Sequence, residues 1–135
     1  ERLRVHIYAS YPDELDTALR CSIHDPMLLS MQNYGKDIAA QRLLIRIGLP
    51  SINIHFVNRN SEQGRWFAPV SDYGVLVCLD SIGYRSGALV CKEDSRVRVY
   101  ADAGDGIALD STSFYAFSEN DTERSRVAVG LWWSL

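Results

Sequence analysis

Residues 73–100, YGVLVCLDSIGYRSGALVCKEDSRVRVY, decide the fold, because two tight turns join three short apolar runs within them. The runs are Tyr73–Asp80, Gly87–Lys92 and Arg96–Tyr100, and their valine and leucine content is typical of β-strands. Glycine, serine and aspartate residues, which favour turns, separate the runs. The stretch therefore predicts three consecutive antiparallel strands.

The spacing of the apolar residues also predicts a register for these strands. A turn centred at residues 84–85 would place Cys78 opposite Cys91, and a second turn would follow at residues 93–95. One face of the sheet would then be wholly apolar: Leu76, Cys78, Leu89, Cys91, Val97 and Val99. The other face of Tyr73–Asp80 is apolar too, whereas a face exposed to water should carry polar residues. We therefore expect this strand to be covered on both sides.

Alternation of apolar and polar residues predicts strands elsewhere, at Leu3–Ala9, Ala18–His24, Arg65–Val70 and Ile107–Asp110. Two further hairpins are predicted. The first joins Arg42–Ile47 to Ile52–Val57, with Ile45 opposite Ile54; the second joins Ser111–Phe117 to Arg126–Trp133, with Ala116 opposite Val127. Asp25-Pro26 predicts the start of a short helix, with Met27, Leu28 and Met31 on its apolar face.

These elements amount to eight to ten strands with one or two short helical turns. Turn residues recur about every ten positions, which is typical of β-sandwiches and β-barrels. We predict an all-β fold in which residues 1–135 form a single domain. Its architecture would be a jelly-roll-like antiparallel sandwich of two sheets, with a closed barrel as the alternative.

Composition limits the classes of protein that this chain fits. A hydrophobic content of 47% excludes a disordered chain, and a net charge of −3 gives no strong signal for nucleic-acid binding. No apolar run approaches the ~20 residues of a transmembrane segment. The chain starts without methionine and ends in an apolar strand pattern, so we expect an excised domain or a processed product. The compartment is not indicated.

The residues with reactive side chains form no catalytic or metal-binding motif. His6, His24 and His55 belong to separate elements, and we expect ordinary surface histidines with no metal and no cofactor. The three cysteines lack a C-x-x-C pair, which favours reduced core thiols, with a Cys78–Cys91 bridge as the alternative. Residues 102–106 predict a plain turn and not a calcium loop. Residues 120–122 form an N-x-T sequon in a polar loop where a glycan would fit.

Aromatic residues are the best candidates for binding a ligand or partner, since they fall on faces that the predicted registers leave outside the core. They are Trp66, Tyr84, Tyr100, Tyr115 and Trp132. Trp132 and Trp133 are adjacent and should lie on opposite faces of their strand, with Trp133 in the core and Trp132 more exposed. Exposed aromatic side chains serve sugar stacking or subunit contacts.

The leading functional hypothesis from the sequence is a non-enzymatic structural or assembly subunit. It would self-associate through sheet faces or edges into a homo-oligomer, as viral shell or matrix proteins and oligomeric modules do. The alternative is a lectin-like, carbohydrate-binding module whose exposed aromatic residues stack on a glycan. A third class is a hydrolase or isomerase built from scattered histidine and aspartate residues.

Overall fold

Eight strands form two antiparallel sheets in the computed structural model, which describes residues 1–10, 17–20, 27, 30–31, 33, 37, 50–57, 66–92 and 94–134. One helix precedes the strands. The elements are α1 (Arg2–Ser10), β1 (Thr17–Arg20), β2 (Ser51–Val57), β3 (Tyr73–Cys78), β4 (Leu89–Cys91), β5 (Asp94–Val99), β6 (Gly106–Asp110), β7 (Tyr115–Phe117) and β8 (Arg126–Trp133). The large sheet has the order β1-β2-β8-β3-β6, and the small sheet has the order β5-β4-β7. The predicted all-β sandwich is confirmed.

The central stretch crosses from one sheet to the other. β3 lies between β8 and β6 in the large sheet, and β4 lies between β5 and β7 in the small sheet. Cys78 pairs with Ala128, and Cys91 pairs with Tyr115, so the predicted Cys78–Cys91 pairing is wrong. β3 is apolar on both faces, which suits a central strand with layers above and below it. Its two edges pair with β8 and β6, so neither edge is left for β4. Leu89 does pair with Val99, as predicted.

The other two predicted hairpins are wrong for a similar reason. Ala116 pairs with Val90 of the small sheet, while Val127 pairs with Phe56 of the large one, so β7 and β8 are not neighbours. Ile54 lies between partners on β1 and β8, which excludes Ile45 as its cross-strand neighbour. The segment 42–47 itself lies outside the described residues.

The N-terminal segment is a helix and not the predicted strand Leu3–Ala9. Leu3 and Ile7 fit both structures, because residues four apart share a helix face just as alternate residues share a strand face. In the helix, Ile7 is buried and Leu3 packs against the same cluster, whereas Val5 is 55% exposed. A strand would have buried Val5 with its neighbours.

Two apolar layers enclose the large sheet. The outer layer lies between this sheet and α1 and contains Ile7, Met31, Ile52, Ile54, Phe56, Val75, Val77, Val127, Val129, Leu131 and Trp133. The inner layer lies between the two sheets and contains Leu76, Cys78, Ile82, Leu89, Ala101, Leu109, Tyr115 and Trp132. The prediction that the first strand of the central stretch is covered on both sides is therefore confirmed, as are the opposite faces of Trp132 and Trp133. Val97, predicted in the core, is 48% exposed.

Several smaller predictions can be compared with the described residues. Met27, Ser30, Met31 and Asn33 are helical, in agreement with the predicted helix, but residues 21–26 and 28–29 lie outside the described part. The predicted strand around residues 65–70 is reduced to one bridge, between Phe67 and Tyr115. Cys78 and Cys91 are free thiols. Within the described residues, no helix is both long and apolar enough to span a membrane.

Candidate functional site

A buried polar and aromatic cluster lies between the two sheets. β2 alternates, so that Ile52, Ile54 and Phe56 face the outer layer while Asn53 and His55 face the inner one. Tyr115 enters the same space from β7, and Trp132 enters it from β8. We call Asn53, His55, Tyr115 and Trp132 the interior cluster. All four side chains are almost completely inaccessible to solvent.

Hydrogen bonds link the members of the interior cluster in a defined direction. The indole Nε1 of Trp132 is a donor only, and it donates to Asn53 Oδ1 at 3.0 Å. Asn53 Nδ2, also a donor, therefore faces His55 Nε2 at 3.4 Å. The hydroxyl of Tyr115 lies 2.8 Å from the same ring nitrogen. Asn53 Nδ2 can only donate, so this arrangement favours the tautomer in which His55 Nε2 accepts and Nδ1 carries the proton.

Aromatic rings surround the imidazole of His55. Its ring centroid lies 4.8 Å from that of Phe67, 5.5 Å from that of Tyr115 and 5.3 Å from that of Phe117. Tyr115 in turn stacks on Trp132, with centroids 6.0 Å apart. Phe67 and Phe117 are only half-buried, so they connect the interior cluster with the protein surface.

Two glycines make room for the indole of Trp132. A Cβ on Gly74 would lie 2.3 Å from the indole ring, and a Cβ on Gly130 would lie 2.0 Å from Asn53 Oδ1. Any larger residue at these positions would displace Trp132 or break its hydrogen bond to Asn53. Both glycines are therefore required by close approach to neighbouring side chains.

Burial determines the ionisation of Tyr115. Removal of its phenol from water raises the pKa well above the ordinary value, and a smaller opposing effect comes from a hydrogen bond with Asn53. The hydroxyl therefore remains protonated, and a donor, across the physiological pH range. An imidazole beside a protonated phenol is an arrangement suited to binding or transferring a proton.

The structure brings together only some of the residues predicted to bind a ligand. Tyr115 and Trp132 meet in the interior cluster, but both are buried, so the prediction of an exposed Trp132 is wrong. Trp66 is half-buried and adjoins Phe67. Tyr84 and Tyr100 remain on the surface, 75% and 57% exposed. The two sheets bury Tyr115 and Trp132 between them, whereas the predicted hairpins had left both residues uncovered.

His55 is the main site residue that the sequence analysis misjudged. It was expected on the surface and is 1% exposed. Asn53 and His55 alternate with three large apolar residues in β2, a pattern that marks them as one face of the strand but does not say what covers that face. His6 is half-buried on α1, and His24 lies outside the described residues.

The N-x-T sequon does not present its asparagine to solvent. Asn120 is buried, and its Nδ2 donates to the carbonyl oxygens of Val57 at 2.7 Å and Arg124 at 3.0 Å. The expectation that a glycan would fit here is wrong, because the nitrogen that would carry it holds two backbone segments together. Residues 102–105 form the plain turn that was predicted.

The donor set of the interior cluster does not fit a metal ion. Over the described ranges, no three or more histidine, cysteine, aspartate or glutamate side chains come together as a metal site would need. The lone pair of His55 Nε2 points at the Tyr115 hydroxyl, and the remaining members are an amide and an indole. We therefore derive no chemical step through a metal.

Comparison with known proteins gives matches only among solved structures: no protein-family model and no curated protein matches the sequence. A "putative mannose-6-phosphate isomerase" from Ralstonia eutropha JMP134 is 11% identical, with 96% of this chain and 95% of that chain covered and a TM-score of 0.53. A cupin domain from Bordetella pertussis Tohama I is 13% identical, with 90% and 98% covered and a TM-score of 0.52. EctD from S. alaskensis with bound Fe is 12% identical, with 96% and 64% covered and a TM-score of 0.66.

The fold is a cupin-like jelly roll. At these identities the likeness shows the fold alone, but it removes the basis of the leading functional hypothesis, which was an analogy with shell and assembly proteins. The solved structures that share the fold instead include one described as an isomerase and one with bound iron. The predictions of a structural subunit and of a non-enzyme are therefore corrected, because the structures with this fold include a protein described as an isomerase, one with bound iron and a cupin domain.

Proposed function

We propose that this chain is a cupin-like small-molecule-binding domain whose ligand lies between the two sheets, against the interior cluster. One observation carries the proposal: four hydrogen-bonding side chains lie buried and joined to one another where the rest of the layer is apolar. Small-molecule sites are typically apolar and aromatic spaces with a few convergent polar groups.

Stability alone does not account for these residues. Burial of a polar side chain costs free energy that internal hydrogen bonds have to offset. Apolar residues of similar volume would fill the same space without this cost. Asparagine, histidine and tyrosine occupy this space, and two glycines leave room for the tryptophan beside them. Recognition of a polar ligand explains this combination better.

Phe67 and Phe117 mark the route by which a ligand would reach His55. Both rings contact the imidazole and both are partly exposed. Among the residues from 66 onward that the structure describes, one bridge joins the segment around Phe67 to β7, and in it Phe67 and Tyr115 exchange backbone hydrogen bonds of 2.7 and 3.1 Å. Displacement of this segment would open the interior cluster while both sheets stay intact. Trp66 would then line the entrance.

The direction of the hydrogen bonds favours a second candidate function, an isomerisation by proton transfer. In this reaction the ligand would displace the Tyr115 hydroxyl from His55 Nε2, which would take a proton from one atom of the ligand and return it to a neighbouring atom, so the imidazole ends in its original state. The Tyr115 hydroxyl would donate a hydrogen bond to the oxygen on which negative charge develops. This reaction needs no metal.

Removal of the Tyr115 hydroxyl tests the proposed site. We expect Tyr115→Phe to keep the fold, because the ring stays in place, and to weaken at least tenfold the binding of compounds identified by thermal-shift screening of polar small molecules. Tyr100→Phe is the matched control, since its hydroxyl is lost from an exposed ring. The proposal fails if no compound binds the wild-type protein, or if every hit binds Tyr115→Phe as tightly as wild type.

Other predictions from the sequence stay predictions. They are a homo-oligomer, a glycan ligand, a single domain over residues 1–135, and partner contacts at Tyr84 and Tyr100. The two tyrosines flank the bridge between Ile82 and Ala101 and do not contact the interior cluster.

A further inference from the structure

Arg126 lies on the inner face of the large sheet, and no other described residue explains its place there. It begins β8 and alternates with Ala128, Gly130 and Trp132, which face the small sheet. Arg126 as a whole is half-buried. Its Nε atom is inaccessible to solvent and has no hydrogen-bond partner. A buried guanidinium nitrogen without a partner costs free energy.

The other arginines whose ion pairs the structure shows are all matched to carboxylates. Arg4 and Arg124 pair with Asp80, Arg85 pairs with Asp121, and Arg96 pairs with Asp94. Arg126 has no such ion pair within the described residues. It therefore brings an unneutralised positive charge to the edge of the space between the sheets.

The register places this charge near the interior cluster. Arg126 pairs with Val57, and Ala128 pairs with His55. Arg126 and His55 therefore lie on adjacent strands, face the same side of the sheet and are offset by two residues along the strand direction. Such a step is about 7 Å along a strand. A guanidinium extends several ångströms from its backbone, so one small molecule can contact both Arg126 and His55.

We infer that Arg126 binds the anionic group of the ligand, and that the ligand is a small organic anion, a carboxylate or a phosphate monoester. This inference rests on the proposed function. A guanidinium presents paired donors that match the oxygens of either group. The anionic end of the ligand lies at Arg126, at the edge of the sheets, and its polar reacting or hydrogen-bonding end lies at His55 and Tyr115.

Titration calorimetry with two simple anions tests this assignment. Sodium malonate and sodium phosphate are titrated into wild-type protein, Arg126→Gln and Arg126→Lys at constant ionic strength, since salt screens charge interactions. We expect at least one anion to bind the wild-type protein and Arg126→Gln to lose tenfold or more in affinity, with a smaller loss for Arg126→Lys. Arg96→Gln, which removes an exposed arginine, should bind as wild type does.

Thermal unfolding without ligand gives a second readout that a structural arginine would not give. Because the buried Nε lacks a partner, we expect Arg126→Gln to unfold at the same or a higher temperature than wild type. A lower unfolding temperature together with unchanged anion affinity would overturn the inference. If neutral compounds bind wild type and Arg126→Gln equally while neither anion binds, this inference fails and the proposed function stands. If nothing binds the wild-type protein, both fail.

Discussion

Trp132 shows how single residues shape the interior cluster. Its indole occupies a slot that exists only because Gly74 and Gly130 carry no side chain. Its Nε1 orients the amide of Asn53, so that the amide nitrogen Nδ2 faces His55 Nε2. A donor-only group thus favours, two hydrogen bonds away, the His55 tautomer with an acceptor at Nε2.

Gly74→Ala should disrupt this slot. The new methyl group would lie 2.3 Å from the indole, which is far inside van der Waals contact, so Trp132 must move. We expect a loss of about 1–3 kcal/mol in the free energy of unfolding, as for other overpacked cores. Urea unfolding measures it. Gly83→Ala is the control, because its nearest neighbour, Ser86 Oγ, would be 3.6 Å away. Equal losses in the two variants would contradict the slot.

At the scale of elements, one carboxylate attaches α1 to the sandwich. Asp80 is buried just after β3, and its Oδ1 lies 2.8 Å from Arg4 Nε and 3.0 Å from Arg124 Nη2. Its Oδ2 accepts a hydrogen bond of 2.9 Å from the backbone of Val127. The helix α1, the strand β8 and the loop before β8 therefore all contact the side chain of Asp80.

Asp80→Ala should release α1. The substitution leaves the largely buried Arg4 without its buried partner, with only the exposed Glu1 still paired to it, and a broken buried ion pair typically costs about 3–5 kcal/mol. Hydrogen exchange should show faster exchange of the amides at residues 5–10, and urea unfolding should show the lower stability. Asp94→Asn removes a carboxylate from the exposed pair with Arg96 and should leave both measurements unchanged, because surface pairs contribute little. Unaltered exchange in Asp80→Ala would show that the apolar contacts and the Tyr8–Ser125 hydrogen bond hold the helix without Asp80.

At the scale of the whole molecule, the layer between the sheets holds two groups that resist ionisation. Burial, with smaller contributions from Asp105 and Asp80, raises the pKa of the Cys78 thiol from 9.0 to about 11. The pKa of Tyr115 is raised as well, chiefly by burial. Ionisation of either group is therefore less favourable in the folded protein than in water.

Stability should therefore fall in alkaline solution. Above pH 9.0 the unfolded chain loses the Cys78 proton while the folded protein keeps it until about pH 11. The unfolded state then binds fewer protons, so the free energy of unfolding decreases over this interval, by about 2 kcal/mol for this one group. Urea unfolding at pH 8 and pH 10.5 measures the decrease. Cys78→Ala should be less stable at pH 8 but should lose less between the two pH values; an unchanged slope would refute the assignment.

Local patterns were sufficient to predict much of this protein. The valine- and leucine-rich runs, their turn residues and the apolar character of both faces of Tyr73–Cys78 predicted a two-sheet antiparallel sandwich with a doubly covered strand. The opposite faces of Trp132 and Trp133 followed from strand geometry alone. These features depend on residues near one another in the chain, which the sequence displays directly.

Tertiary structure alone decided which strands pair and which polar face is buried. β3 and β4 are close in the chain yet belong to different sheets. The pairing of each strand depends on how much apolar surface the whole set of strands buries, which the local sequence does not show. The N-terminal pattern fitted a strand as well as a helix, and packing of Ile7 and the Arg4–Asp80 contact selected the helix. His55 appeared to lie on a solvated polar face until the small sheet covered it with Tyr115 and Phe117. Burial is a property of the assembled layers, so the interior cluster became visible only when residues 53–55, 115–117 and 132 came together.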